Sequence, residues 1–127
     1  MADRHRLTQA ERQEVYDKMG GHCAYCGCEI TLRQMQADHK VPLHLGGADT
    51  VDNMFPACRS CNHYKSTLTV DKFREAVQAM PRVLARDNVT YRNAMRFGVV
   101  TPTPHPVVFY YERREAAQKE DGEHGKD

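Results

Sequence analysis

The 127-residue sequence contains no tryptophan, and hydrophobic residues make up 40% of it. A chain this short predicts one small domain with a modest apolar core, and such domains commonly need a metal or a disulfide to stabilise them. No apolar run approaches the roughly 20 residues that a membrane-spanning helix requires. The N-terminus is polar and lacks the apolar stretch of a secretory signal. We therefore expect a cytoplasmic protein without a membrane segment.

Strong net charge is also absent, since the formal value is +1. The charges are unevenly distributed, because residues 112–127 carry six acids and four bases and leave a net charge of +3 for residues 1–111. A mildly basic body permits nucleic-acid binding but does not by itself indicate it. We expect a domain over residues 1–111 and a charged, disordered tail over residues 112–127.

Helix and turn signals divide the chain into short elements and predict an α+β fold. Thr8 and Glu11 have the spacing of a capping box, which opens a helix that ends at Gly20-Gly21. Pro81 is expected to end the helix that starts at residue 70, within a helical extension over residues 69–98. The other predicted elements are strands at 36–41 and 54–55, helices at 59–65, 70–80 and 91–97, and a short terminal strand at 107–111.

Five cysteines are present, and four of them form two Cys-x-x-Cys pairs, namely Cys23, Cys26, Cys58 and Cys61. In a reducing compartment such pairs indicate a metal rather than disulfides. Four thiolates suit a tetrahedral zinc ion with no coordination position left for substrate. Four reduced cysteines without a metal are the alternative. Cys28 is left over, either as a fifth ligand or redox thiol or as a bystander.

The residues between and just after the cysteine pairs carry groups suited to catalysis. Asp38 and His39 end a predicted strand, where adjacent side chains face opposite ways, so one can bind a metal while the other faces substrate. A site made of Asp38, the Asn62 amide oxygen and waters is open and oxygen-rich, which suits Mg²⁺ or Mn²⁺. His39 is the natural general base near neutral pH. Lys65, one turn beyond Asn62, is expected to face the same cleft and meet a phosphate.

These residues resemble the motif of the HNH endonucleases in their zinc-stapled, four-cysteine form, which is common among small phage and bacterial nucleases. The resemblance covers about residues 20–68. It is carried by Cys23-x2-Cys26, Asp38-His39-x2-Pro42, Gly46-Gly47, Asn53 and Cys58-x2-Cys61-Asn62-x2-Lys65. It implies a small ββα-metal (His-Me finger) core with flanking helices.

The resemblance also implies a role for each matching residue. The three letters of the family name correspond to His39, Asn53 and Asn62, so asparagine replaces the final histidine. Asp38 and Asn62 would bind the catalytic metal, and His39 would take a proton from the attacking water. Asn53 would orient His39 by hydrogen-bonding across the hairpin. His63 can compete as a metal ligand.

The function that the resemblance implies is a metal-dependent DNA endonuclease with a structural zinc and a catalytic Mg²⁺, Mn²⁺ or other divalent metal. A phage-type nicking or packaging-associated role, beside a terminase, fits small members of the group. The alternative is a catalytically inactive zinc-stapled module that binds DNA or a terminase. We expect a monomer. Tyr110 and Tyr111 can either stack on bases or pack the terminal segment onto the domain.

Overall fold

The structure is a computed structural model that describes residues 6–124, with side chains described as far as residue 120. The predicted α+β fold and its central ββα order are confirmed. The helices and strands in the described residues are α1 Gln9–Asp17, β1 Gln36–His39, β2 Met54–Ala57, α2 Arg59–Lys65, α3 Val70–Asp87, α4 Val89–Arg96 and α5 Tyr110–His124. Two single 3₁₀ turns, Leu43–Leu45 and Val51–Asn53, lie between the strands.

Strands β1 and β2 form an antiparallel two-stranded sheet in which Asp38 lies opposite Phe55 and His39 opposite Met54. We predicted that the second strand would end before Pro56, whereas β2 continues to Ala57. A proline is tolerated here because both strands of a two-stranded sheet are edge strands, where a missing N–H breaks no inner ladder. The sheet carries Asp38 and His39 at its end nearest the connecting loop.

Helix α1 supplies much of the apolar packing behind the sheet. Its capping box is present, since Thr8 N–H donates to Glu11 Oε1 and Glu11 N–H donates to Thr8 Oγ1. The buried core side chains around α1 and the sheet are Val15, Ile30, Met35 and Met54. Because these four come from α1, the segment after the first cysteine pair and β2, the core joins the elements that carry the two cysteine pairs.

The chain divides into two compact units. The first contains the described residues up to Val70 and those from Val108 onward, and the second is Asp71–Val107. Within the second unit, Val107 accepts a hydrogen bond from Arg74 at 2.7 Å and donates one to Gln78 at 2.8 Å. None of the described helices has both the length and the apolar character needed to cross a bilayer.

Helix α3 corrects one sequence prediction, because it continues through Pro81 to Asp87. Proline removes one backbone donor from a helix, but the residues that follow Pro81 include good helix formers such as Leu84 and Ala85. The helix predicted over residues 91–97 is present as α4, with slightly different bounds. It ends just before Gly98, whose φ of 75° is in the left-handed region. The predicted helical extension therefore contains two helices rather than three segments.

Helix α5 corrects the predictions for the C-terminal region. Residues 107–111 do not form a strand, and the segment expected to be a disordered tail is helical as far as His124. Residues 125–127 lie outside the described residues. Phe109 N–H donates to Glu112 Oε1 at 2.9 Å and starts the helix, and Glu115 and Lys119 have the favourable i,i+4 charge order. Mixed charges at helical spacing thus support a helix where we expected disorder.

Candidate active site

The four predicted cysteines form a cluster in which their Sγ atoms all lie within 4.8 Å of one another. Cys26 Sγ and Cys58 Sγ are 3.9 Å apart. Zinc–thiolate bonds of about 2.3 Å in a tetrahedron imply sulfur–sulfur distances of about 3.8 Å, so the cluster fits a metal such as zinc. Cys28 is exposed and lies outside this set of four.

Local backbone structure places the four sulfurs. In the first pair, Cys23 N–H donates to Cys28 O at 2.8 Å, and Gly27 turns the chain with a φ of 82°. In the second pair, Cys58 is the N-cap of α2, and its Sγ accepts a hydrogen bond from Cys61 N–H at 3.4 Å. The hydrogen bond between the Cys23 and Cys61 side chains lowers the pKa of Cys23 and raises the pKa of Cys61, so the two sulfurs share a proton when no metal is bound.

A second, open site lies in the same compact unit. It is a cavity of about 610 Å³ between the end of β1, the loop that follows it and α2, and we call it the cleft. Its polar lining side chains are Asp38, His39, His44, Asn62, His63, Ser66 and Thr67. The structure thus brings the predicted metal ligands and the predicted base to one cavity.

His39 has a partner that the sequence reasoning missed. Its Nε2 lies 2.8 Å from Asp49 Oδ1, and both side chains are partly buried. When the imidazole is neutral and Nε2 carries the proton, Asp49 Oδ1 accepts a hydrogen bond from Nε2–H and Nδ1 is left as the basic nitrogen. The only sequence signal for Asp49 is an acid that closely follows the Gly46-Gly47 turn.

Asn53 makes hydrogen bonds across the hairpin, and they go to backbone atoms of the connecting loop rather than to the His39 side chain. Its side-chain oxygen accepts from Val41 N–H at 3.1 Å, and its side-chain nitrogen donates to Val41 O at 2.9 Å and to Ala48 O at 2.8 Å. Its backbone carbonyl accepts from Lys40 N–H at 2.8 Å. Asn53 therefore closes the loop that leads to Asp49, and any effect on His39 passes through that loop.

Lys65 differs most from its predicted placement. We expected it to face the cleft, but its side chain is 0% exposed and it is not among the cleft-lining residues. Lys65 Nζ lies 3.1 Å from Asp38 Oδ2 and donates to Asp38 Oδ1 at 3.3 Å and to His39 O at 2.9 Å. The Lys65 ammonium binds the end of β1, because the buried Asp38 carboxylate lies there. Lys65 therefore holds β1 in place and is not positioned to bind a phosphate in the cleft.

Asp38 is a buried carboxylate with only 4% of its surface exposed. Besides Lys65, Tyr25 donates its hydroxyl to Asp38 Oδ2 at 2.5 Å. Burial raises the pKa of Asp38, while the hydrogen bonds from Tyr25 and Lys65 and the positive charge of Lys65 oppose that rise. These partners stabilise the ionised form that a cation needs as a ligand.

Asn62 is oriented by a neighbour on β1. Its Nδ2 donates to Gln36 Oε1 at 2.6 Å, so its amide oxygen is the atom that can bind a cation. His63 also lines the cleft, and its ring contacts Tyr64 with a centroid separation of 5.7 Å. Asp38 and Asn62 together offer one carboxylate and one amide oxygen, a donor set that fits a hard divalent cation with bound waters.

Comparison with known proteins finds a family model that matches the segment containing this geometry. Residues 23–67 match the family model described as HNH endonuclease, so the predicted resemblance is confirmed over that segment. The chain is 30% identical over 78 residues to "SPbeta prophage-derived putative HNH endonuclease YoqL" of Bacillus subtilis (strain 168). That alignment covers 55% of this chain and 34% of the Bacillus protein.

Two Cas9 proteins are also similar to this chain. It is 35% identical over 65 residues to "CRISPR-associated endonuclease Cas9" of Corynebacterium diphtheriae, an alignment that covers 50% of this chain and 5% of that protein. The crystal structure of the Type II-C Cas9 enzyme from Actinomyces naeslundii matches with a TM-score of 0.49 and 24% identity, over 59% of this chain and 8% of that one. The chain thus spans about a third of the prophage relative and a small fraction of the Cas9 proteins.

Proposed function

We propose that this chain, whose residues 23–67 match the HNH endonuclease family, is a metal-dependent endonuclease that hydrolyses phosphodiester bonds in DNA. The family match supports nuclease activity in general. The observation that carries the specific proposal is one cleft that contains Asp38, His39 and Asn62, with His39 Nε2 held 2.8 Å from Asp49 Oδ1. An oriented imidazole base beside a pair of oxygen ligands is an arrangement that can support phosphodiester hydrolysis.

His39 is the proposed general base. Asp49 accepts a hydrogen bond from Nε2–H and fixes the ring, so Nδ1 can take a proton from a water that attacks the phosphorus in line with the leaving oxygen. The bond from water oxygen to phosphorus forms as the bond to the 3′ oxygen breaks. The leaving 3′ oxygen takes a proton from solvent, so the products are a 5′ phosphate and a 3′ hydroxyl.

Asp38 and Asn62 are the proposed ligands of a divalent cation, Mg²⁺, Mn²⁺ or another, with His63 as a competing ligand. A cation bound there supplies positive charge that stabilises the charge developing on the phosphate and the leaving oxygen. Support comes from the shared cleft and from the hydrogen bond to Gln36, which leaves the Asn62 amide oxygen as the ligand atom.

The remaining predicted residues support this machinery in the proposal. Lys65 favours the ionised form of Asp38 and also donates a hydrogen bond to the carbonyl of His39. It therefore fixes the proposed cation ligand Asp38 relative to the proposed base His39. Asn53 closes the loop that presents Asp49. The four-cysteine cluster holds a structural zinc, which joins the turn before β1 to the start of α2.

The test is a plasmid-nicking assay with the full chain, purified with one zinc per molecule and shown to be folded. We expect conversion of supercoiled to nicked plasmid when Mg²⁺, Mn²⁺ or Ni²⁺ is added, and none in the control without added metal. No nicking with any of these metals would favour the alternative, a catalytically inactive zinc-stapled module that binds DNA or a terminase. A gel-shift with the same preparation then tests whether that module binds DNA.

The proposal extends to the biological setting. A phage-type nicking or packaging-associated role is suggested by the prophage origin in the name of the Bacillus relative, with a terminase as the proposed partner. Reduced cysteines in a metal cluster fit a cytoplasmic location. We also propose that the chain acts as a monomer, which sedimentation of the zinc-loaded protein would test.

A further inference from the structure

Tyr25 joins the two sites, although it belongs to neither set of predicted ligands. It lies inside the first cysteine pair, between Cys23 and Cys26, and only 2% of its surface is exposed. Its hydroxyl nevertheless reaches across to Asp38 Oδ2 at 2.5 Å. Tyr25, which lies in the turn of the first cysteine pair, therefore contacts the Asp38 carboxylate at the edge of the cleft.

The position of the Tyr25 ring is fixed from two directions. Its backbone carbonyl accepts a hydrogen bond from Tyr110 N–H at 3.0 Å, and the neighbouring Ala24 carbonyl accepts one from Tyr111 N–H at 2.8 Å. The ring meets Phe109 edge-on at a centroid distance of 5.2 Å and Phe55 at 6.2 Å. A buried ring held by both backbone and aromatic contacts leaves its hydroxyl little freedom to move.

The contacts of Lys65 do not distinguish between the two carboxylate oxygens of Asp38. Its Nζ lies 3.1 Å from Oδ2 and 3.3 Å from Oδ1, so its contacts with the two oxygens are nearly equal. Tyr25 breaks that symmetry, because its short hydrogen bond goes to Oδ2. Oδ1 is then the less engaged oxygen and the better placed of the two for a further ligand.

We propose that Tyr25 is a positioning residue that orients the Asp38 carboxylate for cation binding in the cleft, an inference that rests on the proposed function. Hydrogen-bond partners of metal ligands commonly set both ligand orientation and affinity. The residues that hold Tyr25 include Phe109 and Tyr110, which lie beyond the segment 23–67 that matches the family. The start of α5 therefore takes part in building the site.

The experiment compares the wild-type chain with Y25F, which keeps the ring and removes the hydroxyl. Y16F is the matched control, because Tyr16 also donates its hydroxyl, at 2.8 Å, but to Ile30 O, which does not line the cleft. For each zinc-loaded protein we would measure plasmid nicking against Mn²⁺ concentration. Mn²⁺ binding is measured separately by electron paramagnetic resonance, and zinc content by atomic absorption.

In Y25F we expect the Mn²⁺ concentration for half-maximal nicking to rise about 10–100-fold, with the rate at saturating Mn²⁺ close to that of wild type. The resonance titration should weaken by the same factor, while Y16F and all three zinc contents stay unchanged. A merely structural role would lower the rate at every Mn²⁺ concentration without moving the half-maximal point, and that result would overturn the proposal.

An equal shift in Y16F and Y25F would also overturn it. Failure of the proposed function gives a different pattern, in which wild type does not nick with any metal. In that case weaker Mn²⁺ binding by Y25F than by wild type would still support the positioning role. Absence of Mn²⁺ binding by wild type would overturn both proposals together.

Discussion

The four-cysteine cluster and the cleft lie in the same compact unit, but they are assembled differently. The cluster takes all four sulfurs from two tight turns, so a two-residue spacing within each pair is enough to bring Cys23 and Cys26 together. The cleft takes its groups from β1, a loop and α2, and Asp38, His39 and Asn62 are each held by side chains that do not line it.

Because of this difference, we expect the cluster to contribute to stability and the cleft to contribute to catalysis. A tetrahedral metal with four thiolates has no position left for substrate, so the cluster can only hold the chain together. The cleft has about 610 Å³ of open space and a carboxylate whose pKa is raised by burial, an effect that Tyr25 and Lys65 oppose in part. Changes at the cluster should therefore abolish folding, whereas changes at the cleft should range from loss of activity to small adjustments.

The largest effect is expected from Cys58→Ser, which removes one sulfur of the cluster, whereas serine, a favoured N-cap residue, can still cap α2. Structural zinc in small domains contributes about 10–16 kcal/mol at neutral pH, which is comparable to the whole stability of a domain. We expect loss of bound zinc and of cooperative unfolding, measured by atomic absorption and circular dichroism. Cys28→Ser is the control, because Cys28 lies outside the cluster. Equal loss in both variants would contradict the four-sulfur assignment.

The next largest effect is expected from His39→Ala in the cleft. Removal of a general base costs about 10²–10⁴-fold in rate, so metal-dependent nicking should fall by that factor while zinc content and unfolding temperature stay near those of wild type. His105→Ala is the control, since His105 is exposed in the other compact unit. Wild-type nicking by the His39 variant would show that another group activates the water.

The third effect concerns stability at the edge of the cleft. Lys65→Met keeps the length of the buried side chain and leaves Asp38 as a buried charge without its ion-pair partner. Breaking a buried pair in this way costs about 3–5 kcal/mol, measured as the free energy of unfolding in urea. Adding Asp38→Asn to the same chain should recover most of that loss. No recovery would mean that Lys65 acts mainly through the carbonyl of His39.

The same variant gives a pH dependence with a definite sign. Burial raises the pKa of Asp38 and Lys65 opposes the rise, so without Lys65 the folded carboxyl keeps its proton to a higher pH than the unfolded one. Stability then falls as pH increases through that interval. The deficit of Lys65→Met relative to wild type should be larger at about pH 8 than at about pH 5.5. The unfolding free energies of the two proteins at both values test this.

Local signals explain why some of this architecture could be read from the sequence. The cysteine spacing, the capping box at Thr8 and the limits of α2 each depend on residues within four positions of one another. The structure has all three as predicted. The match to a known motif supplied the pairing of Asp38 with Asn62, which no local pattern contains.

Contacts between distant parts of the chain explain what the sequence did not reveal. Lys65 is one turn from Asn62, so spacing suggested a shared cleft, but the direction of its side chain depends on how α2 packs on β1. The start of α5 is held by hydrogen bonds from Tyr110 and Tyr111 to the first cysteine turn. Composition alone cannot show such anchoring, and it favoured a disordered tail.

The smallest expected effect tests Asp49, the partner of His39 that only the structure revealed. Asp49→Ala removes the acceptor 2.8 Å from Nε2, so the imidazole loses its preferred orientation and tautomer, and nicking should fall about tenfold. Asp49→Asn keeps an acceptor oxygen and should retain more activity than the alanine variant. Nicking rates at saturating Mn²⁺ measure both. Because Asp49 is only partly buried, the unfolding free energy should change little. An unaltered rate in Asp49→Ala would mean that the loop backbone braced by Asn53 suffices to orient the base, and the cleft would then resemble the cluster in depending on backbone geometry alone.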